Sequence, residues 1–278
     1  MNTRSTATRA DAGVRSVQVT LDIIELLAAS EGEMGVTEIA QALGLGKPAI
    51  FRHLVTLTER GFLSQNPSTS RYHWGPRLYL LGRHAPERFD LASLAAPAMR
   101  ALGEAVGQTV VLSAPGPHGI VVLSTLRSSQ QVEIGVREGS SLALNASAQG
   151  KVALAFGPEE LRERLRATGL VRFTEHTLID PAALDAEIAR VRERGWAVAP
   201  NEVLLGINTL AMPVREQGRL TGVLALVGSV QFVTAPPDER SLAALRAAVR
   251  AIEDTLHGAD TSTARPRRER AATKEQTP

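Results

Sequence analysis

The segment from Gly35 to Leu63, GVTEIAQALGLGKPAIFRHLVTLTERGFL, restricts the fold of this chain more than any other stretch. It reads as two short amphipathic helices around a glycine-bearing turn. In VTEIAQAL, Ile39, Ala40 and Leu43 share a face, and Thr37 is placed to cap the helix ahead of Glu38 and Gln41. Gly44 and Gly46 break that helix, and Pro48 occupies the first turn of the next, where a missing N–H costs nothing. Ile50, Leu54 and Leu57 then face inward at spacings of four and three, leaving Ala49, Arg52, His53 and Thr56 outside. Two helices joined so tightly form a helix-turn-helix, whose second helix enters the DNA major groove.

The flanks extend this unit. Val17, Leu21, Ile24 and Leu27 recur at helical spacing ahead of it. Behind it, Phe62-Leu63 and Tyr72–Trp74 bracket the turn-forming residues NPSTSR, which predicts a β-hairpin. Helix, helix, helix, hairpin is a winged helix-turn-helix over residues 14–76, with Arg71 among hydroxyl residues at the wing. Residues 77–94 read as a linker helix, in a helical stretch interrupted near Pro86 and Pro97.

Beyond it the period changes. TVVLSAP, GIVVLSTL and QVEIGVR are strand-like, helices are expected near Ala148–Phe156, Pro158–Thr168 and Pro181–Gly195, and strands near Asn208–Val214 and Gly222–Val230. A last helix follows over Asp238–His257. The expectation for residues 95–257 is an α+β domain with a mainly antiparallel sheet flanked by helices. Residues 1–13 and 258–278 hold few large apolar side chains and read as a disordered leader and tail.

Composition narrows the function classes. At 278 residues and 44% hydrophobic content the chain can fill two modest cores. Without cysteine it has no disulfide, thiol nucleophile or thiolate site, which suits a cytoplasmic location. No apolar run reaches the roughly 18 residues of a membrane span. The net charge of +2 is weak evidence for a nucleic-acid partner, although a local basic face can coexist with an acidic remainder. GLGKPA lacks the strand that a dinucleotide fingerprint needs, and GKP lacks the Walker hydroxyl. The histidines have no ligand spacing, and no G-x-S-x-G elbow occurs, so neither a metal, a cofactor nor a catalytic residue is expected. The tail arginines, Arg265, Arg267, Arg268 and Arg270, solubilise the tail or add non-specific DNA affinity.

Taken in order, VRSVQVTLDIIELL, the segment from Val36 to Leu63, RYHWGPRLYLLG, NASAQGKVALAF and RGWAVAPNEVLLGINTLAMPV resemble the IclR family of bacterial transcription factors, from about Val14 to His257. The resemblance implies a winged helix, a linker helix and a GAF-like effector domain. It also implies homodimers or homotetramers that repress or activate, often on catabolic operons. The alternative is a small-molecule-binding protein or enzyme whose helix-turn-helix serves only assembly.

On the DNA side, Arg52 is placed to bond guanine O6 and N7, and Lys47 to meet phosphate. His53 reads a base, meets phosphate or packs against the wing, while Phe51 meets a thymine methyl or completes the core. Where the family commonly has Ser-Thr, this chain has Pro48-Ala49, so phosphate contact shifts to Lys47, Arg52 and Arg71. On the effector side, the resemblance places Leu142, Ala148 and Gln149 on one wall of the pocket and Thr209, Ala225 and Val227 on the other. The helix start within NASAQGK is a natural anion site. Asn145, Ala225 and Val227 replace more polar family residues, which points to a partly apolar effector such as an aromatic acid. Ala199-Pro200 replace acidic residues ahead of Asn201 and Glu202, and Glu202 is a ligand partner or a solvated loop charge. Lys151 reads as a snorkelling surface lysine rather than a carboxylate partner.

Overall fold

The computed structural model describes residues 14–30, 32–83, 91–116, 119–128 and 134–263. The chain divides into two compact units, residues 1–89 and 90–278. Among the described residues, no helix is long and apolar enough to cross a membrane.

The first unit runs α1 (Arg15–Ala29), α2 (Val36–Ala42), α3 (Lys47–Glu59), β1 (Leu63–Gln65), β2 (Tyr72–Trp74) and α4 (Pro76–Arg83). Ile23 and Leu27 of α1, Ile39 and Ala40 of α2, and Ile50, Leu54 and Leu57 of α3 meet Leu63 and Tyr72 in one core. Helix α2 begins two residues earlier than its sequence suggests. Gly35 is the N-cap, its N–H donating to the Glu38 carboxylate (2.9 Å), and Thr37 lies inside the helix. Glu38 supplies the cap from within, so Thr37 is not needed for it. Gly44, at φ +63°, turns the chain between α2 and α3 in a conformation that costs a β-carbon residue strain. β1 and β2 pair antiparallel with Ser64 opposite His73, and Met34 adds a bridge to Tyr72.

The second unit is built on a six-stranded antiparallel sheet in the order β5-β4-β3-β8-β7-β6. Its strands are β3 (Thr109–Gly116), β4 (Gly119–Leu126), β5 (Ser141–Leu142), β6 (Ala197–Val198), β7 (Ile207–Glu216) and β8 (Arg219–Ser229). Strand alternation gives the sheet two apolar faces. Val110, Leu112, Leu210, Met212, Val214, Leu224 and Leu226 share a core with buried residues of α5 (Leu91–Val106) and α9 (Glu239–Thr263). Ile120, Ala211, Val223 and Ala225 instead join residues of α6 (Ala148–Phe156), α7 (Glu159–Thr168) and α8 (Pro181–Arg194).

Three elements depart from the sequence expectation. Helix α5 runs straight through Pro97, which sits on its exposed face, so the Ser93 carbonyl left without an N–H donor lies on the water side. QVEIGVR was expected as a strand, but residues 134–137 are irregular. Ile134 and Val136 pack against Val111, Val122 and Val227 instead, and the edge strand is β5. Helix α9 continues to Thr263, six residues beyond the expected end. Pro86, the leader and residues 264–278 with their arginines lie outside the described residues.

Candidate DNA-reading surface and effector pocket

Because Ile50, Leu54 and Leu57 point into the core, helical geometry turns Arg52 almost directly outward from α3. Its guanidinium has no hydrogen-bond or ion-pair partner among the described residues, and neither has Lys47. Phe51 is 52% exposed and therefore no part of the core. His53 is half-buried, but against α1 rather than the wing: its Nδ1 lies 2.8 Å from Thr20 Oγ1. Arg52, His53 and Thr56 of α3 face Ser16, Val17, Thr20 and Leu21 of α1 across an open groove of about 500 Å³.

Arg71 does not stand ready for phosphate. Its Nε and Nη2 donate to the Glu33 carbonyl (3.0 and 2.8 Å), and Nη2 also donates to Glu38 (2.7 Å). The Glu33 carboxylate accepts from Asn66 Nδ2 (3.0 and 3.1 Å) and Thr69 Oγ1 (3.0 Å). The wing is therefore bound by its own polar groups to the segment ahead of α2. Hydrogen bonds from Asn66 and Thr69, with the His73 and Arg71 charges nearby, hold the Glu33 carboxyl below its usual range. The Gly35 N–H and the Arg71 guanidinium do the same for Glu38. The acidic partners were within reach of sequence reasoning, since Glu33 precedes α2 and Glu38 lies in its first turn, but the long-range pairing was not.

In the second unit, the loop into α6 carries several of the residues expected to bind the effector. Ser147 caps α6, accepting from the Gly150 N–H (2.9 Å) and donating to the Ala143 carbonyl (2.7 Å). Gly150 is obligatory: a β-carbon there would lie 2.4 Å from the Ala143 carbonyl oxygen. The next N–H groups, of Ala148 and Gln149, have no acceptor among the described residues, as expected for a helix start. The Gln149 carboxamide, on a residue 3% exposed, likewise has no partner there.

The strand register brings the expected strand residues onto one face of the sheet. Thr109, Val227 and Thr209 form one row across β3, β8 and β7, and Val111, Ala225 and Ala211 form the next. Leu142, Val122, Ile134 and Val136 join this surface. Thr109, Val111, Val122, Ile134 and Val136 escaped sequence reasoning. Alternation within TVVLS places Thr109 and Val111 on one face, but only the register says which strands they oppose.

Two expected pocket residues are engaged elsewhere. Asn145 Nδ2 donates to the carbonyls of Val171 and Leu178 (both 3.0 Å), and its Oδ1 accepts from the Val171 N–H (3.3 Å). Glu202 is not solvated, and Lys151 does not snorkel. The two form a buried ion pair, with Lys151 also donating to the Val198 carbonyl (3.3 Å). Burial pushes the Lys151 ammonium down and the Glu202 carboxyl up, while each partner's charge opposes the change. With that pair mutually neutralised, the α6 N-terminus still contributes the positive end of its helix dipole.

A winged helix with an open cationic reading face, joined in one chain to a sheet-and-helix sensor domain, defines a ligand-responsive DNA-binding regulator. Residues 16–67 match the profile of the IclR helix-turn-helix domain, and residues 83–254 match that of the bacterial transcriptional regulator IclR C-terminal domain. The chain belongs to the IclR family. It is 34% identical over 238 residues to the HTH-type transcriptional regulator BhcR of Paracoccus denitrificans, covering 85% of this chain and 84% of that one. An IclR transcriptional regulator from Alicyclobacillus acidocaldarius superposes with a TM-score of 0.75 at 26% identity, over 88% of this chain and 99% of the other. An IclR homolog from Microbacterium hydrocarbonoxydans, complexed with 4-hydroxybenzoate, shares the fold with a TM-score of 0.76 at 22% identity, over 87% of this chain and 99% of that one. This chain is thus a sequence-specific transcriptional regulator controlled by a small effector, not an enzyme.

Proposed function

We propose that the effector is a carboxylic acid with an apolar, ring-sized body, and that the genes controlled form a catabolic operon. The observation that carries the reading is the Gln149 carboxamide, on a buried residue and without a hydrogen-bond partner among the described residues, in the same first turn of α6 as the free N–H groups of Ala148 and Gln149. These three donors suit a carboxylate, which gains further from the helix dipole. The floor of Leu142, Thr209, Ala225 and Val227 suits a hydrocarbon body, with Thr209 placed for one hydroxyl. Glu202 and Asn145 act on the pocket through the loops they hold. The 4-hydroxybenzoate complex supports the idea that a fold of this kind can enclose an aromatic acid.

On DNA, two copies of the chain would present two α3 helices to half-sites related by symmetry. Arg52 reads base edges, Lys47 meets phosphate, and Pro48, Ala49, Phe51 and His53 border the contact. Such work places the protein in the cytoplasm. Thermal melting of the full-length protein against aromatic, aliphatic and non-carboxylated metabolites tests the effector class. Aromatic acids are expected to raise the melting temperature, and their amides are not. Stabilisation by the amides alone would overturn the carboxylate reading.

A further inference from the structure

The outward side of α3 has two unlike flanks. Each residue advances about 100° around a helix, so Pro48, Phe51 and Val55, at i, i+3 and i+7, fall on one side of Arg52. Ala49 and Thr56 fall on the other, toward the groove shared with α1. Over the first two turns of α3 this flank is apolar and open to solvent: Pro48 is exposed, Phe51 is 52% exposed and Val55 36%, with exposed Glu59 following one turn beyond Val55. None of the three belongs to the core of the first unit. An apolar strip beside an unpaired arginine, on the helix that faces DNA, calls for an apolar partner within the major groove.

Among the four bases only thymine offers one, its C5-methyl group; the other features of that groove are hydrogen-bond donors and acceptors. We propose that Pro48, Phe51 and Val55 read thymine methyl groups, and that the half-site carries thymine within a base pair or two of the guanine read by Arg52. Pro48 has no N–H, and proline, phenylalanine and valine carry no polar side-chain atoms, so this flank discriminates by shape and hydrophobicity alone. A cytosine in place of the thymine would present an amino group to Phe51 and leave it without an acceptor. The inference rests on the reading that α3 enters the major groove.

The test uses the full-length protein. A half-site is selected from randomised duplexes, and each thymine is then replaced singly by uracil, which removes only the methyl. At one or two positions beside the guanine, uracil should weaken binding about fourfold, the value of one buried methylene. 5-Bromouracil, whose bromine fills the methyl site, should restore it. Phe51→Ala and Val55→Ala should bind thymine and uracil duplexes alike, while Phe51→Leu keeps the preference. Both positions are exposed, so the variants should fold, and circular dichroism checks that they do.

A uracil penalty that persists in Phe51→Ala overturns the proposal, as does a flat uracil profile in the native chain. So does a Phe51→Ala variant whose main defect is a changed oligomeric state, because the strip would then cover a second copy. Failure of the underlying reading looks different. In that case Arg52→Ala would keep full affinity and unchanged guanine preference, and the thymine proposal would fall with it.

Discussion

The ammonium of Lys151 lies against the carboxylate of Glu202, 51 positions further along the chain, with the two side chains only 1% and 8% exposed. One comes from α6 and the other from the loop between β6 and β7. Between those two attachments, Thr174 and Thr177 donate to the Asn201 and Glu202 carbonyls (both 2.6 Å), so two loops are fastened around one buried charge pair. Removing one member leaves the other charged without water or partner. Lys151→Met or Glu202→Gln should each cost about 3–5 kcal/mol, and the double replacement Lys151→Met/Glu202→Leu should recover most of that. Urea unfolding of the three variants measures it. Single losses below about 1 kcal/mol would mean that water reaches the pair.

Asn145 and Gln149 should separate structure from recognition. Asn145→Ala forfeits three hydrogen bonds to the Val171–Leu178 loop, worth about 2–4 kcal/mol together. Hydrogen exchange at the Val171 amide should accelerate well beyond the global change. Gln149→Leu removes no bond to the protein. It should leave the melting temperature of the free chain within about 2 °C while weakening a carboxylated effector roughly tenfold by calorimetry. Equal loss of stability in both variants would contradict the division of roles.

Lys47, Arg52 and Arg71 of the first unit should behave differently in salt titrations of operator binding. Lys47→Ala should weaken all duplexes alike and lower the salt slope by about 1. Arg52→Ala should relax the choice of guanine at one position, at about 1–3 kcal/mol. Arg71→Ala should lower the melting temperature of the winged helix, because Arg71 binds Glu33 and Glu38, while leaving the salt slope unchanged. A slope reduced by Arg71→Ala would restore that residue to the DNA contact.

The same network makes the wing acid-sensitive. Glu38 has a carboxyl held below its ordinary value of 4.5, first by the Gly35 N–H and then by Arg71. A depressed folded value means that ionised Glu38 favours the folded state fully above the unfolded value. That contribution is lost as pH falls through the folded one. Native chain and Glu38→Gln should therefore differ in melting temperature at pH 6 and converge as the pH falls through the depressed folded value. A difference that widens on acidification would reverse the sign and exclude Glu38 as the cap that matters.

Local pattern made the winged helix legible. Ile50, Leu54 and Leu57 at helical spacing, Pro48 in a first turn and the NPSTSR turn each carry their own physical signal. The second unit was readable as α+β because TVVLSAP, INTLAMPV and GVLALVGS alternate with helical segments. What escaped was long-range. No neighbour in sequence tells Arg71 to turn toward Glu33, or Lys151 toward Glu202, and each of those choices removed a residue from an expected solvent or ligand role. QVEIGVR failed for a related reason: its alternation is genuine, but Ile134 and Val136 satisfy it by lying over the sheet face rather than extending the edge.

The lateral limits of the sheet carry a further consequence. β5 and β6 are two residues long, and they are the outermost strands on either side. So short an edge exposes too few backbone donors and acceptors to template a neighbour's strand. At these two strands a second copy would find little backbone to pair with, so edge-to-edge polymerisation through β5 or β6 is disfavoured.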